Sequence, residues 1–484
     1  MPRLAKLTVL PVVAAVVLAA LAAPPGGAAV SRDVEPRVPA AAADRGGPGS
    51  WTKVSTGTGS ITFSSSLHRT PDGVLHVVYP RDEGTTGQIG HTAIRANGTT
   101  ALANLVLPTS WSIVEPTPVV TAGPSGAGLR VVFGGQQTTS PGFWSDGKMY
   151  TLTAPASGTP WALPMETVGQ SGAAYASYGT AATTLADGTP VAAYPLNSSV
   201  TWHVGTGTGP DQSFTHAACC VYDLAMVRSG SEVYVGYYAN GGTPATQGTF
   251  VRRIHPTLGP LLKAPGSSVG DASVPTERVA LAARAGGGVY AAYCAGYPTC
   301  TGIRLWKVGA SRAIAVPGSR YAARIALAAA PGGRLWLSWG DNLPSVKAVR
   351  TNPAATRLGI RRDAGVPRGH PAIYALAMEG STGRGDVVIN VGDGFWHTQV
   401  LAGLTLQAAP ARWRHGTAKQ VKFTVTDAGD KVRGALVKVG SRRCTTSVQG
   451  TCRITFPRTV GAGRPTARAT KAGYAPGTKR LRVT

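Results

Sequence analysis

Two arginines stand in register. Arg278 opens RVALAARAGG and Arg324 opens RIALAAAPGG, each nine residues before the second glycine of a turn. Guanidinium groups at matching positions can hold a carboxylate or sulfate by paired hydrogen bonds. They can equally pair with a neighbouring acid such as Glu277, or extend to solvent. Cleavage of a glycosidic bond needs two placed carboxyl groups. The acids to consider are Asp82, Glu115 and Glu277, with Asp82 and Glu277 as the catalytic candidates. Tyr297 lies between Cys294 and Cys300. A disulfide there would stiffen a loop and present a rigid ring for stacking, or would serve only as a loop staple. His68, His91, His203 and His397 fall on different strands. There is no CxxC, Walker loop, HExxH, or GxSxG in a strand–turn–helix setting, so neither a metal site nor a cofactor is expected.

The elements that would position these residues come from a repeated phrase. A small apolar run meets a Gly turn, then an alternating run ends on an aromatic. Copies end at Tyr79, Phe133, Tyr194, Tyr237, Tyr293, Trp339 and, with valine in that slot, Val391, at spacings of 54, 61, 43, 56, 46 and 52 residues. Strand pairs repeating near every 50 residues predict an all-β chain and a β-propeller. Seven phrases predict seven blades, with six left open by the weak second and seventh copies. In blade six the spacing predicts strands at 325–329, 334–339, 346–350 and 356–360. Asp72-Gly73, Asp187-Gly188, Gly286-Gly287 and Gly332-Gly333 supply tight turns. The longer loops then gather on the opposite face, and Arg278 and Arg324 start innermost strands at the channel mouth on that side. Trp51–Val54 would complete the last blade and leave no open edge.

The ends of the chain are of other kinds. Arg3 and Lys6 precede an apolar run from Leu7 to Ala23 and small residues at Gly27-Ala28-Ala29, the order of a secretory signal peptide over 1–29. Residues 30–49 read as a disordered linker and 50–410 as the propeller. From Ala411 the pattern shifts to VKFTVTD, GALVKVG, CRITF, PTARATK and KRLRVT. These short alternating runs predict a small Ig-like β-sandwich over 411–484. Six cysteines suit an exported protein. Local spacing pairs Cys294 with Cys300 and Cys444 with Cys452, leaving Cys219 and Cys220 adjacent.

The formal charge is +25. From Ala411 onward, 17 Lys/Arg face only Asp427 and Asp430, so the tail carries +15 of it. Such a module favours anionic partners, or reflects an arginine-rich composition. Nucleic acid is expected to bind only non-specifically.

RIALAAAPGGRLWLSW (324–339) and RVALAARAGGGVYAAY (278–293) resemble, without its proline, the Arg-Ile-Pro phrase of the sialidase-like, Asp-box propellers. PDGVLHVVYPRDEG (71–84) resembles that family's second strand and following Arg81 with Asp82 or Glu83. The resemblance implies that the opening arginines hold a sugar carboxylate, with a Tyr–Glu nucleophile and an Asp doing the chemistry. The chain departs from it: Ser64 stands where blade one should open on arginine, and ANG at 96–98 is all that remains of a box. KVRGALVKVG, CTTSVQGTC and ATKAGYAPGTKRLRV resemble carboxypeptidase-regulatory-like and bacterial Ig-like domains.

With glutamate scarce in the repeats, the expectation is a secreted, monomeric, non-enzymatic recognition protein with no membrane anchor in its mature form. Arg278, Arg324, Arg81 and Tyr297 on the loop face would bind a glycan or anionic cell-wall polymer. An exported sialidase-like glycoside hydrolase and a protein-binding scaffold are the alternatives.

Overall fold

Small side chains begin each unit and larger ones follow, and the backbone answers with sheets of four short strands. The structure is a computed structural model that describes residues 50–55, 64–82, 86–114, 117–137, 148–169, 179–196, 198–217, 221–267, 279–296, 300–341 and 345–484. The expected signal peptide and linker lie outside these residues.

Among the described residues, sheet 1 holds Ser66–Arg69, Leu75–Asp82, Gly87–Ile94 and Thr100–Leu105, paired antiparallel in chain order. Sheet 2 is built on Val119–Ala122, Leu129–Gln136, Lys148–Ala154 and Glu166–Thr167, with Ile113–Val114 added beside Leu129–Gln136. Sheet 3 runs from Ala181–Thr184 to Gln212–Thr215, sheet 4 from Val221–Ser229 to Leu261–Lys263, and sheet 5 from Ala280–Ala283 to Ile314–Ala315. Sheet 6 holds Ala322–Ala330, Arg334–Asp341, Val346–Arg350 and Arg362–Gly365. Sheet 7 holds Ala375–Glu379, Gly385–Asn390 and Phe395–Val400, and its outer strand is Thr52–Lys53 from the other end of the chain.

Each first strand packs against the first strand of the next sheet. Ala375–Glu379 touches both Ala322–Ala330 and Ser66–Arg69, so the series returns to its start. This all-β series of sheets fits a β-propeller. First strands such as ALAA and AATT are rich in small residues because first strands of neighbouring sheets crowd there. The repeated aromatics fill the gaps between sheets: Phe133, Tyr237, Tyr293 and Trp339 are fully buried. Within sheet 1 the Tyr79 ring lies over its partner Gly90, where a Cβ would fall 2.2 Å from it. Second strands are buried along nearly their whole length, as in LRVVFGGQ, because sheets cover both faces. At Asp72-Gly73 the turn closes with Gly73 at φ +86 and its N–H on the Thr70 carbonyl at 2.9 Å.

One strand differs from expectation. The fourth strand of sheet 6 is Arg362–Gly365; within 356–360, Thr356 and Arg357 belong to a turn held by Asn352, and Leu358 and Ile360 make single bridges to Thr351 and Gly403. Asn352 Oδ1 accepts the N–H groups of Thr356 and Arg357, which spends the donors a ladder would need.

The tail forms two four-stranded sheets and two short two-stranded pairings among the described residues. Lys419–Asp427 pairs with Thr405–Ala409 and Thr451–Phe456, and Leu436–Val439 pairs with Arg442–Thr445 and Thr466–Thr470. Val421, Phe423, Val437, Ile454, Ala467 and Ala469 are buried between them. Two of the tail's charges reach back to sheet 6. Asp427 accepts from Arg350 at 2.5 Å, and Asp430 accepts from Arg334 at 2.8 Å. Cys294 is bonded to Cys300 and Cys444 to Cys452, as their spacing suggested. Cys219 and Cys220 lie outside the described residues.

Candidate active site

The starts of the first strands converge on a cavity of about 160 Å³. Ser64, Ser65 and Ser66 come from sheet 1, Thr117–Val119 from sheet 2 and Gly179-Thr180 from sheet 3. Asp223 and Leu224 come from sheet 4 and Val279 from sheet 5. The space far exceeds the roughly 10–15 Å³ that one water needs. Its hydroxyl lining is held in place by backbone bonds: Thr180 N–H donates to Thr117 Oγ1 at 3.0 Å, and Val120 N–H to Ser66 Oγ at 3.1 Å.

Asp223 is the carboxylate of this cavity among the described residues. Its strand pairs Tyr222 with Tyr238 but Ala225 with Gly236, so one extra residue is inserted opposite the neighbour. At this bulge Asp223 takes φ +50, a left-handed conformation uncommon outside glycine. Bulges turn a side chain out of the pleat and concentrate near active sites. Gly179, at φ +92, passes 3.5 Å from the Asp223 Cα, measured from the Cβ it lacks. The sequence signal was small: VYDLAMV carries an acid inside an otherwise apolar first strand. Nothing in its local pattern announces the bulge.

Arg324 sits beside a second bulge, between the Ala322–Asp341 and Arg324–Gly340 pairs. Its Nε donates to the Tyr374 carbonyl at 2.5 Å and its Nη1 to the Ala323 carbonyl at 2.7 Å. The side chain thus ties sheet 6 to the segment entering sheet 7. Arg81 is half-buried near the end of its strand, opposite Gln88. Asp82 follows it in the same strand. Glu83, Glu115, Glu277, Arg278 and Tyr297 lie outside the described residues. Asp223, absent from the expected set, is the residue that the structure adds.

The histidines serve the sheet interiors. His76 and His91 stack with ring centres 5.2 Å apart, and His76 Nδ1 is 2.9 Å from His91 Nε2. Asn104 fixes the direction of this chain. Its Nδ2 donates to the Gly158 carbonyl, so its Oδ1 accepts from His91 Nδ1–H at 2.7 Å. His91 Nε2 then accepts from His76 Nδ1–H, and His76 Nε2 faces the Thr70 hydroxyl at 3.2 Å. The Thr70 hydroxyl itself donates to Asp72 Oδ1 at 2.6 Å. Burial, then the neighbouring His91, pushes the His76 pKa down to about 3, and burial lowers His91 too. His203 pairs with Asp211 at 3.2 Å, and His397 with Asp386 at 2.9 Å. Among the described residues no group of three His, Cys, Asp or Glu could hold a metal ion, and no helix is long and apolar enough to cross a membrane.

No protein-family model matches the chain, and no curated protein matches it. Similar solved structures include a polysaccharide lyase, at 9% identity and TM-score 0.43, covering 72% of this chain and 92% of that one. Another is an α-L-arabinofuranosidase from Fusarium graminearum in complex with an iminosugar inhibitor, at 10% identity and TM-score 0.41, covering 72% and 98%. A third is an ulvan lyase bound to a GlcA–Rha3S saccharide, at 10% identity and TM-score 0.40, covering 71% and 93%. These finds overturn the expectation of a non-enzymatic recognition protein, because the proteins found are glycan-active enzymes. At this distance the likeness does not carry their reactions or substrates across.

Proposed function

We propose that this chain is an exported glycan-processing enzyme that cleaves a glycosidic bond at the mouth of its central channel. One observation carries the reading: Asp223 is held at positive φ on a β-bulge and lines a hydroxyl-rich cavity where first strands meet. A carboxyl group at such a point can donate or accept the proton that glycosidic cleavage moves. The second carboxyl group is assigned to Glu277 or Asp82. Arg278 and Arg324, with Arg81, are assigned to an acidic group on the sugar, and Tyr297 to a sugar face.

The frame of this reading is a seven-bladed propeller over 50–410, which the closed series of first-strand contacts supports, except that its last strand, Thr405–Ala409, pairs in the tail's sheet. The division continues with an Ig-like tail over 411–484, a signal peptide over 1–29 and a linker over 30–49. Release from the cell is supported by the two disulfides, which persist in oxidising compartments.

The test is hydrolysis of a panel of aryl glycosides and of uronate-bearing polysaccharides by the full chain. Turnover is expected, and Asp223→Asn should lower kcat by about 100-fold or more. Turnover that survives Asp223→Asn undiminished removes Asp223 from the chemistry, and no turnover on any member of the panel sinks the reading.

A further inference from the structure

The tail breaks a rule of sheet construction in a consistent place. Like charges directly opposite one another on neighbouring strands are destabilising. Lys438 stands opposite Arg443 on one side and opposite Arg468 on the other. Val437 and Val439 are buried, so Lys438 points away from the core, and Arg468 does the same between buried Ala467 and Ala469. Arg480 falls on the same outer face, opposite Thr466. Three cations therefore form a row across three strands, spanning about 10 Å at the usual strand spacing. On the other sheet, exposed Lys422 stands opposite exposed Arg453.

Nothing nearby compensates the row. The tail's acids are Asp427 and Asp430, and both are bound to propeller arginines. Lys438, Arg443 and Arg468 have no acidic partner among the described residues. A local rule broken without a local gain marks a site whose gain lies elsewhere. We infer that the outer face of the Arg442–Thr445, Leu436–Val439, Thr466–Thr470 and Gly477–Arg480 sheet docks an extended anionic polysaccharide. The row supplies the complementary charge. Beside the cations stand Thr466 and Thr478, hydroxyls suited to sugar oxygens. No aromatic side chain stands on this face among the described residues, which disfavours single-stranded nucleic acid, whose bases need a stacking platform.

This docking face is separate from the channel mouth, and its test reads binding, independent of turnover. The full chain is compared with Lys438→Thr/Arg443→Thr/Arg468→Thr and with a charge-matched control, Arg414→Thr/Arg433→Thr/Arg458→Thr. Binding to chondroitin sulfate, neutral dextran and duplex DNA is measured across salt concentrations. The row variant should lose about tenfold or more of its chondroitin sulfate affinity and show a flatter salt dependence, while the control keeps within about twofold. Its Tm should rise, because the repulsion across the strands is gone. Equal losses in the two variants would show charge without a site and overturn the inference. So would tighter binding to DNA than to chondroitin sulfate, binding to dextran as strong, no binding at all, or a fall in Tm.

Discussion

The seam between sheets 7 and 1 and the channel mouth use similar residues in opposite ways. At the seam, Arg69 donates to Glu379 at 2.7 Å and to Asp386 at 2.5 Å. Asp386 also accepts from His397 and from Gln399, each at 2.9 Å. Burial alone would raise the Asp386 pKa. The His397 bond, the Arg69 charge and the Gln399 amide outweigh it and hold the carboxyl below its ordinary range. At the mouth, Asp223 sits on an irregular backbone beside open volume. The seam's carboxylate closes the ring, and it has no room for a substrate. A catalytic group needs access and tolerates strain; a structural one needs neither. Residue type alone does not separate the two.

Breaking the seam should give the largest effect. Asp386→Ala leaves the buried Arg69 and His397 facing a void. A cost of about 3–5 kcal/mol is expected in denaturant unfolding. Asp223→Ala should cost about 1 kcal/mol, since Ala at positive φ is strained but the site is half-open. Equal losses from the two substitutions would erase the distinction drawn between seam and mouth.

Acid should act on the interior of sheet 1 before it acts on the seam. The folded pKa of His76 lies near 3, below its unfolded value of about 6.5. A folded value below the unfolded one gives stability that is complete above about pH 6.5 and lost as pH falls toward 3. His76 contributes a slope of about 1.4 kcal/mol per pH unit, or about 2 kcal/mol by pH 5. Thermal unfolding between pH 7 and pH 4 should show this decline, and His76→Gln should flatten it. Asp386 acts lower in the scale: its depressed pKa gives stability that is lost only below about pH 4. A flat profile between pH 7 and pH 5 would mean that the His76–His91 pair is hydrated in solution.

Much of the repeat frame was legible in the sequence, and little of the seam or the mouth; of the seam's Arg69, Glu379, Asp386 and His397, the pattern singled out His397 alone. The repeated phrase with its aromatic end, the Asp-Gly turns and both local cysteine pairs are set by contacts within about one strand pair, so spacing reveals them; the Trp51 closing segment pairs with the far end of the repeats and was reached from the need to leave no open edge. The closing strand itself is Thr52–Lys53, beside which Trp51 Nε1 donates to the Ala364 carbonyl. The turn through Thr356 and Arg357 was hidden because Asn352 acts through its side chain, which hydrophobic alternation does not see. Arg324 was found from register, but register says nothing of the two carbonyls that take its protons. Asp223 was missed because its meaning lies in a backbone irregularity. An Asp in a strand reads as an ordinary polar position until the pairing of Tyr222 and Ala225 shows the extra residue.

The smallest expected effect is the most telling about the mouth. Asp223→Gly removes the side chain that makes φ +50 costly, and it also loosens the unfolded chain. These terms oppose each other, each about 1 kcal/mol or less, so stability should stay within about 0.5 kcal/mol of the parent. Asp223→Ala keeps the strain and should be the less stable of the two by about 1 kcal/mol. Both variants should lose turnover alike, because both lack the carboxyl group. That pattern, with Gly neutral for folding and null for activity, is what a residue retained for chemistry shows. If Asp223→Gly instead unfolds as readily as Asp386→Ala, the bulge is a structural joint, and the mouth has no better claim to catalysis than the seam.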